Sequence, residues 1–151
     1  MPQLANLPTQ RSQKRVRVLL VEDDYEQRRM VASLLCYDGY DVTELSNGEE
    51  LLDYMLRRQA EALTYEEPDM ILTDVCMPRQ DGLSALDQLR AAGIATPVVL
   101  MTAYPEQCAP DRVDRLGALT VLEKPFDLDD LRMIVLNLAP RSNGPSSRSR
   151  N

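Results

Sequence analysis

Short apolar runs alternate along this chain with longer stretches in which apolar residues recur every three or four positions. Val16-Arg-Val-Leu-Leu-Val21 is apolar and β-branched, the pattern of a buried strand. From Tyr25 the spacing changes: Met30, Val31, Leu34 and Leu35 share one helical face, and Gly39 supplies a stop. Tyr40–Leu45 reads as a second strand. Asn47-Gly-Glu-Glu50 is a capping-box-like start for a second helix, whose face is Leu51, Leu52, Met55 and Leu56 and whose pattern extends to Leu63. Met70–Thr73 is a third strand ending at Asp74. Leu83, Leu86 and Leu89 mark a third helix stopped by Gly93, and Pro97–Thr102 is a fourth strand. Pro110 opens a short fourth helix that runs to about Leu116, before Gly117, because proline suits the first helical position and breaks an interior one. Tyr104–Ala109 is then an irregular loop. Val121-Leu122 belongs to a short fifth strand, and Leu128, Leu131, Ile134, Val135 and Leu138 form the face of a last helix.

Strand then helix, five times over, predicts an α/β fold: a doubly wound parallel sheet with helices on both faces. Reactive groups in such folds collect beyond the carboxyl ends of the strands. Those positions hold Glu22, Asp23 and Asp24 after the first strand, Asp74 after the third, Thr102 at the end of the fourth and Lys124 after the fifth. The second strand offers nothing distinctive, as expected at an edge.

Composition narrows the chemistry. The 151 residues suit one domain, with no apolar run long enough to span a membrane and no secretory signal at the N-terminus. There is no histidine, and the three cysteines have no CxxC spacing. Zinc sites, a disulfide framework and histidine-based nucleophiles are excluded, and a cytoplasmic location is expected. All 24 acidic residues but only ten of the 17 basic ones lie between residues 18 and 138, a net of −14 against −7 for the whole chain. Such a body is a poor binder of nucleic acid, whose phosphates need clustered Lys and Arg. Residues 1–15 read as a flexible basic arm, 16–138 as the folded domain and 139–151 as a disordered tail rich in Ser, Arg and Pro.

Three carboxylates brought together repel one another, and a hard divalent cation, Mg²⁺ or Mn²⁺, relieves that repulsion through oxygen ligands. A metal, a lysine and a hydroxyl facing a carboxylate form a set that accepts a phosphoryl group. Asp74, alone at a strand end, is the best nucleophile. The Glu22–Asp24 run is better placed to hold metal, with Asp24 itself read as the N-cap of the first helix. A nucleotide-binding enzyme would need a glycine-rich loop where Glu22-Asp-Asp24 stands, and these carboxylates would repel phosphates.

Four motifs occur in order: Val18-Leu-Leu-Val-Glu-Asp-Asp24, Asp74-Val-Cys-Met-Pro78 followed by Gly82, Met101-Thr-Ala103, and Glu123-Lys-Pro-Phe126. In these the chain resembles the receiver domains of two-component response regulators. The resemblance implies the flavodoxin-like strand order 2-1-3-4-5. It implies that Asp74 accepts phosphate from a sensor histidine kinase or phosphotransfer protein, and that Glu22, Asp23, Asp74 and the backbone carbonyl of Cys76 hold Mg²⁺. Thr102 and Lys124 would bind phosphoryl oxygens, and Lys124-Pro125 would be a cis peptide. Such a protein is a regulator rather than an enzyme, signals to a downstream protein target, and in some arrangements forms a homodimer. Two departures stand out. Val121 occupies the position where the family usually carries an aromatic residue, and Pro105 and Pro110 fall where it usually carries its fourth helix. The alternative reading is a pseudo-receiver, an interaction module that works without phosphorylation.

Overall fold

The computed structural model of the protein describes residues 14–61 and 67–139. Five strands, β1 (Arg17–Val21), β2 (Asp41–Leu45), β3 (Met70–Asp74), β4 (Val98–Thr102) and β5 (Ala118–Glu123), alternate with α1 (Tyr25–Tyr37), α2 (Gly48–Ala60), α3 (Gly82–Ala91), α4 (Pro110–Leu116) and α5 (Leu128–Leu138). Every strand pair is parallel and the order is β2-β1-β3-β4-β5, as expected. Side chains alternate across a strand, so each central strand feeds two cores. Leu19, Val21, Ile71 and Leu100 point to the face covered by Leu51, Met55, Leu86 and Leu89 of α2 and α3. Val18, Leu20, Met70, Leu72, Val99 and Met101 point to the face covered by Val31, Leu35, Leu131 and Val135 of α1 and α5. Burial on both faces is why β3 and β4 read as continuous apolar runs.

The helix starts follow the polar residue at each boundary. Asp24, Asn47, Asp81 and Asp127 each accept a hydrogen bond from a backbone N–H in the first turn of α1, α2, α3 and α5. At α2 the capping box is altered: Glu50 reaches back to the amide and hydroxyl of Ser46 rather than to the amide of Asn47. Helix α2 ends at Ala60 with Glu61 as its C-cap, short of the expected Leu63, which lies outside the described residues. Helix α4 begins at Pro110 and ends at Leu116, and Gly117 takes the left-handed conformation (φ +67°) that closes it. The segment before it is more regular than expected, because Pro105–Gln107 forms one turn of 3₁₀ helix. Strand β5 is longer than Val121-Leu122 alone, since it starts directly after Gly117. Residues 1–13 of the basic arm and 140–151 of the tail fall outside the described residues.

Candidate functional site

The carboxyl ends of β1, β3, β4 and β5 converge on one acidic spot. Val21 and Thr73 are register partners, so the residues that follow them, Glu22 and Asp74, leave the sheet side by side. Both are buried, Glu22 at 3% and Asp74 at 6% exposure, whereas Asp23 is exposed. One carboxylate oxygen from each of the three lies within 4.8 Å of the others, a grouping able to hold a metal ion.

Lys124 enters from the end of β5, where its amide donates to Thr102 O at 2.7 Å and fixes where the side chain departs. Its ammonium donates to Glu22 Oε2 at 2.7 Å, to Asp74 Oδ2 at 2.9 Å and to Gln27 Oε1 at 3.1 Å. All three ammonium protons are therefore engaged. Burial opposes the charge on Lys124, but the hydrogen bonds to Glu22 and Asp74 outweigh it and leave its pKa raised. Burial lifts the Glu22 carboxyl, the Lys124 hydrogen bond pulls it back, and the negative Asp74 adds to the lift, for a net pKa of about 7.

The remaining polar groups frame Asp74. The Cys76 amide donates to Asp74 Oδ1 at 3.2 Å, which lays that peptide against the carboxylate. The Cys76 thiol faces Gln107 Oε1 at 3.6 Å instead of the acidic cluster. Thr102 is fully buried, one position beyond the β4 partner of Asp74. Its hydroxyl accepts the Tyr104 N–H at 2.9 Å and still has its own proton to donate. The Lys124–Pro125 peptide is cis. Gly82 packs so closely under Asp74 that an added Cβ would sit 2.3 Å from the Asp74 carbonyl oxygen.

Asp24 stands apart from the cluster: its Oδ1 accepts the Gln27 N–H at 2.9 Å as the N-cap of α1. Asp24→Ala should therefore lower stability by about 1 kcal/mol, the usual effect of losing a cap, in a denaturant melt. A loss several times larger would mean that Asp24 also belongs to the acidic cluster.

All six residues singled out in the sequence thus lie at one end of the sheet. Three neighbours were not foreseen: Gln27, which holds Lys124; Arg28, which donates to the Glu22 carbonyl; and Glu44, on the edge strand read as featureless, which pairs with Arg28 and Arg29. Gln27 and Arg28 follow the Asp24 cap by three and four positions, the spacing that turns first-turn side chains back over the helix start.

Residues 18–136 match the family described as response regulator receiver domain. Among curated proteins, the chain is 32% identical over 124 residues to sporulation initiation phosphotransferase F of Bacillus subtilis, covering 82% of this chain and 94% of that protein. It is 36% identical over 119 residues to the regulatory protein AtoC of Escherichia coli, covering 79% of this chain but only 24% of that longer protein. Among solved structures it resembles the receiver domain of a Francisella response regulator, with TM-score 0.69, 29% identity, and coverage of 81% and 94% of the two chains. It also resembles the response regulator TrrA of Thermotoga maritima, solved in complex with Mg²⁺-BeF, with TM-score 0.68, 25% identity, and coverage of 81% and 97%.

Proposed function

The chain belongs to the response regulator receiver domain family, and from that premise we propose that it is a phosphoacceptor switch, taking a phosphoryl group onto Asp74 from a histidine kinase or phosphotransfer protein. The observation that carries this reading is the bonding of one half-buried ammonium, Lys124 Nζ, to both Asp74 and Glu22 at the mouth of the sheet.

The donor set fits a hard divalent cation. It is all oxygen and concentrated: one carboxylate oxygen from each of Glu22, Asp23 and Asp74 lies within 4.8 Å of the others. Glu22, Asp23, Asp74 and the backbone carbonyl of Cys76 would hold Mg²⁺ or Mn²⁺, which supplies positive charge against the phosphoryl oxygens. An Asp74 carboxylate oxygen forms the bond to phosphorus as the phosphorus–nitrogen bond to the donor histidine breaks. Lys124 passes from a carboxylate to a phosphoryl oxygen, and the Thr102 hydroxyl donates to another.

The same hydroxyl carries the signal outward. Thr102 Oγ1 accepts the Tyr104 N–H, so turning it toward a phosphoryl group withdraws the acceptor that anchors Tyr104. Tyr104 is exposed and starts the Tyr104–Ala109 segment that leads into the short α4. Val121 is only partly buried against the core and carries no ring to swing inward, so this segment is the moving part that a downstream protein reads.

The test is intact-mass measurement after incubation with a small phosphodonor such as phosphoramidate. The protein should gain one phosphoryl group with Mg²⁺ present and essentially none with chelator, and Asp74→Asn should gain none. An Asp74→Asn protein that still acquires a base-labile phosphoryl group would sink the assignment. A wild type that never acquires one would favour the unphosphorylated interaction module.

A further inference from the structure

Arg28 lies outside the acidic cluster yet grips its backbone, and we propose that it is a positioning residue that fixes where Asp23 presents its carboxylate to the metal. This inference rests on the metal-binding reading above. Arg28 sits in the first turn of α1, its own amide bonded to Asp24 O at 2.9 Å. Its side chain is only 15% exposed. One arm of the guanidinium, Nη1, donates to the Glu22 carbonyl at 2.9 Å. On the other side Nε approaches Glu44 Oε1 at 3.5 Å, and the group lies 5.4 Å from the centre of the Tyr25 ring.

The Glu22 carbonyl matters because of what shares its peptide plane. The carbonyl of Glu22 and the amide of Asp23 form one rigid unit. The amide of Glu22 is already held by Leu45 O of β2 at 3.1 Å. With Arg28 on the carbonyl, the backbone is pinned on both sides of Glu22, and the direction in which the chain leaves toward Asp23 is set. Asp23 needs such an outside constraint: it is exposed, and among the described residues no hydrogen bond or ion pair holds its carboxylate. Glu22 and Asp74, by contrast, are buried and tied to Lys124.

Glu44 completes the arrangement. Its Oε2 contacts Arg29, while Oε1 is buried with no hydrogen-bond partner among the described residues and has Arg28 Nε at ion-pair distance. The edge strand thus orients the guanidinium that orients the loop. Arg is suited to this task because its planar fork serves two acceptors at once, which a lysine ammonium on a flexible stem does with less fixed geometry.

Partners that orient metal ligands typically contribute 10- to 100-fold in metal affinity. The test is titration of the full chain with Mn²⁺, following the free ion by its paramagnetic resonance, alongside melts of the metal-free protein. Arg28→Met, which keeps a long unbranched side chain but has no donor, should weaken Mn²⁺ binding at least about tenfold. Arg28→Lys, which keeps one donor, should recover part of that loss. Glu44→Gln, which leaves the Arg28–Glu22 contact intact, should weaken binding less than Arg28→Met does. Melting that falls in Arg28→Met while Mn²⁺ affinity stays at the wild-type value would overturn the proposal and leave Arg28 a purely structural residue. Affinity in a folded Arg28→Lys protein that falls between those of Arg28→Met and the wild type would support it through partial rescue. If Arg28→Met does not fold, Arg28→Lys decides alone, with weaker binding expected and wild-type affinity contradicting the proposal. A wild type that binds no Mn²⁺ would instead bring down the metal reading on which the proposal stands.

Discussion

Lys124→Met is expected to lose about 3 kcal/mol of stability in metal-free buffer, and to recover much of it when Mg²⁺ is added. Removing one member of a buried charge cluster leaves the others without compensation, an effect of about 3–5 kcal/mol. Here the abandoned groups are Glu22 and Asp74, whose side chains are 4% and 8% exposed. A divalent cation replaces the missing positive charge, so by linkage the variant should gain more from Mg²⁺ than the wild type does. The pH dependence has a definite sign. Burial pushes the Glu22 carboxyl up to about 7 in the folded protein, from an ordinary value of 4.5 in the unfolded chain. Its contribution to stability is full below about 4.5 and is lost as pH rises through 7. Lys124 is the partner that pulls this pKa down, so in Lys124→Met the loss should extend to higher pH. Urea melts at pH 5 and pH 8, with and without Mg²⁺, measure all of this. Equal stability of variant and wild type in metal-free buffer at pH 8 would show that Lys124 does not neutralise the cluster.

The second large effect lies beneath the site. Gly82→Ala should destabilise the protein by about 3 kcal/mol, the upper range for overpacking, and should depress phosphorylation as well. The added methyl would meet three backbone atoms: Asp74 O at 2.3 Å, Asp74 C at 3.2 Å and Val75 Cα at 3.2 Å. No side chain rotation relieves such a contact, so either α3 must move away or Asp74 must shift. Gly82 also donates its amide to Val75 O at 2.8 Å, which ties the start of α3 to the end of β3. A melt gives the stability term. The phosphoryl gain of the folded fraction gives the displacement of Asp74, and a folded variant with wild-type stability and phosphorylation would contradict this packing.

The central elements were legible in the sequence because their causes are local. Buried parallel strands must be apolar on both faces, so β1, β3 and β4 announced themselves, and the polar groups just beyond them could only gather at one end of the sheet. Pro110 and Gly117 bounded α4 by backbone geometry alone. What remained hidden depends on tertiary partners. Glu44 looks like an ordinary exposed strand residue until α1 lays Arg28 and Arg29 against it. Gln27 is an unremarkable helix residue until Lys124 arrives from 97 positions away. The single 3₁₀ turn at Pro105–Gln107 was missed because two prolines in six residues argue against a long helix without forbidding a short turn. Asn47 caps α2 as its spacing from Glu50 suggests, but nothing in Ser46-Asn47 says which of the two amides Glu50 will take.

The most direct test is the chemical identity of the side chain at position 74 after incubation with a phosphodonor. Borohydride reduces an aspartyl phosphate to the corresponding alcohol while leaving free carboxylates intact. The full chain, incubated with phosphoramidate and Mg²⁺, then reduced and digested, should therefore carry an alcohol at position 74 and at no other acidic position. Reduction at Asp23 or elsewhere, or a phosphorylated protein with position 74 unreduced, would contradict the Asp74 assignment.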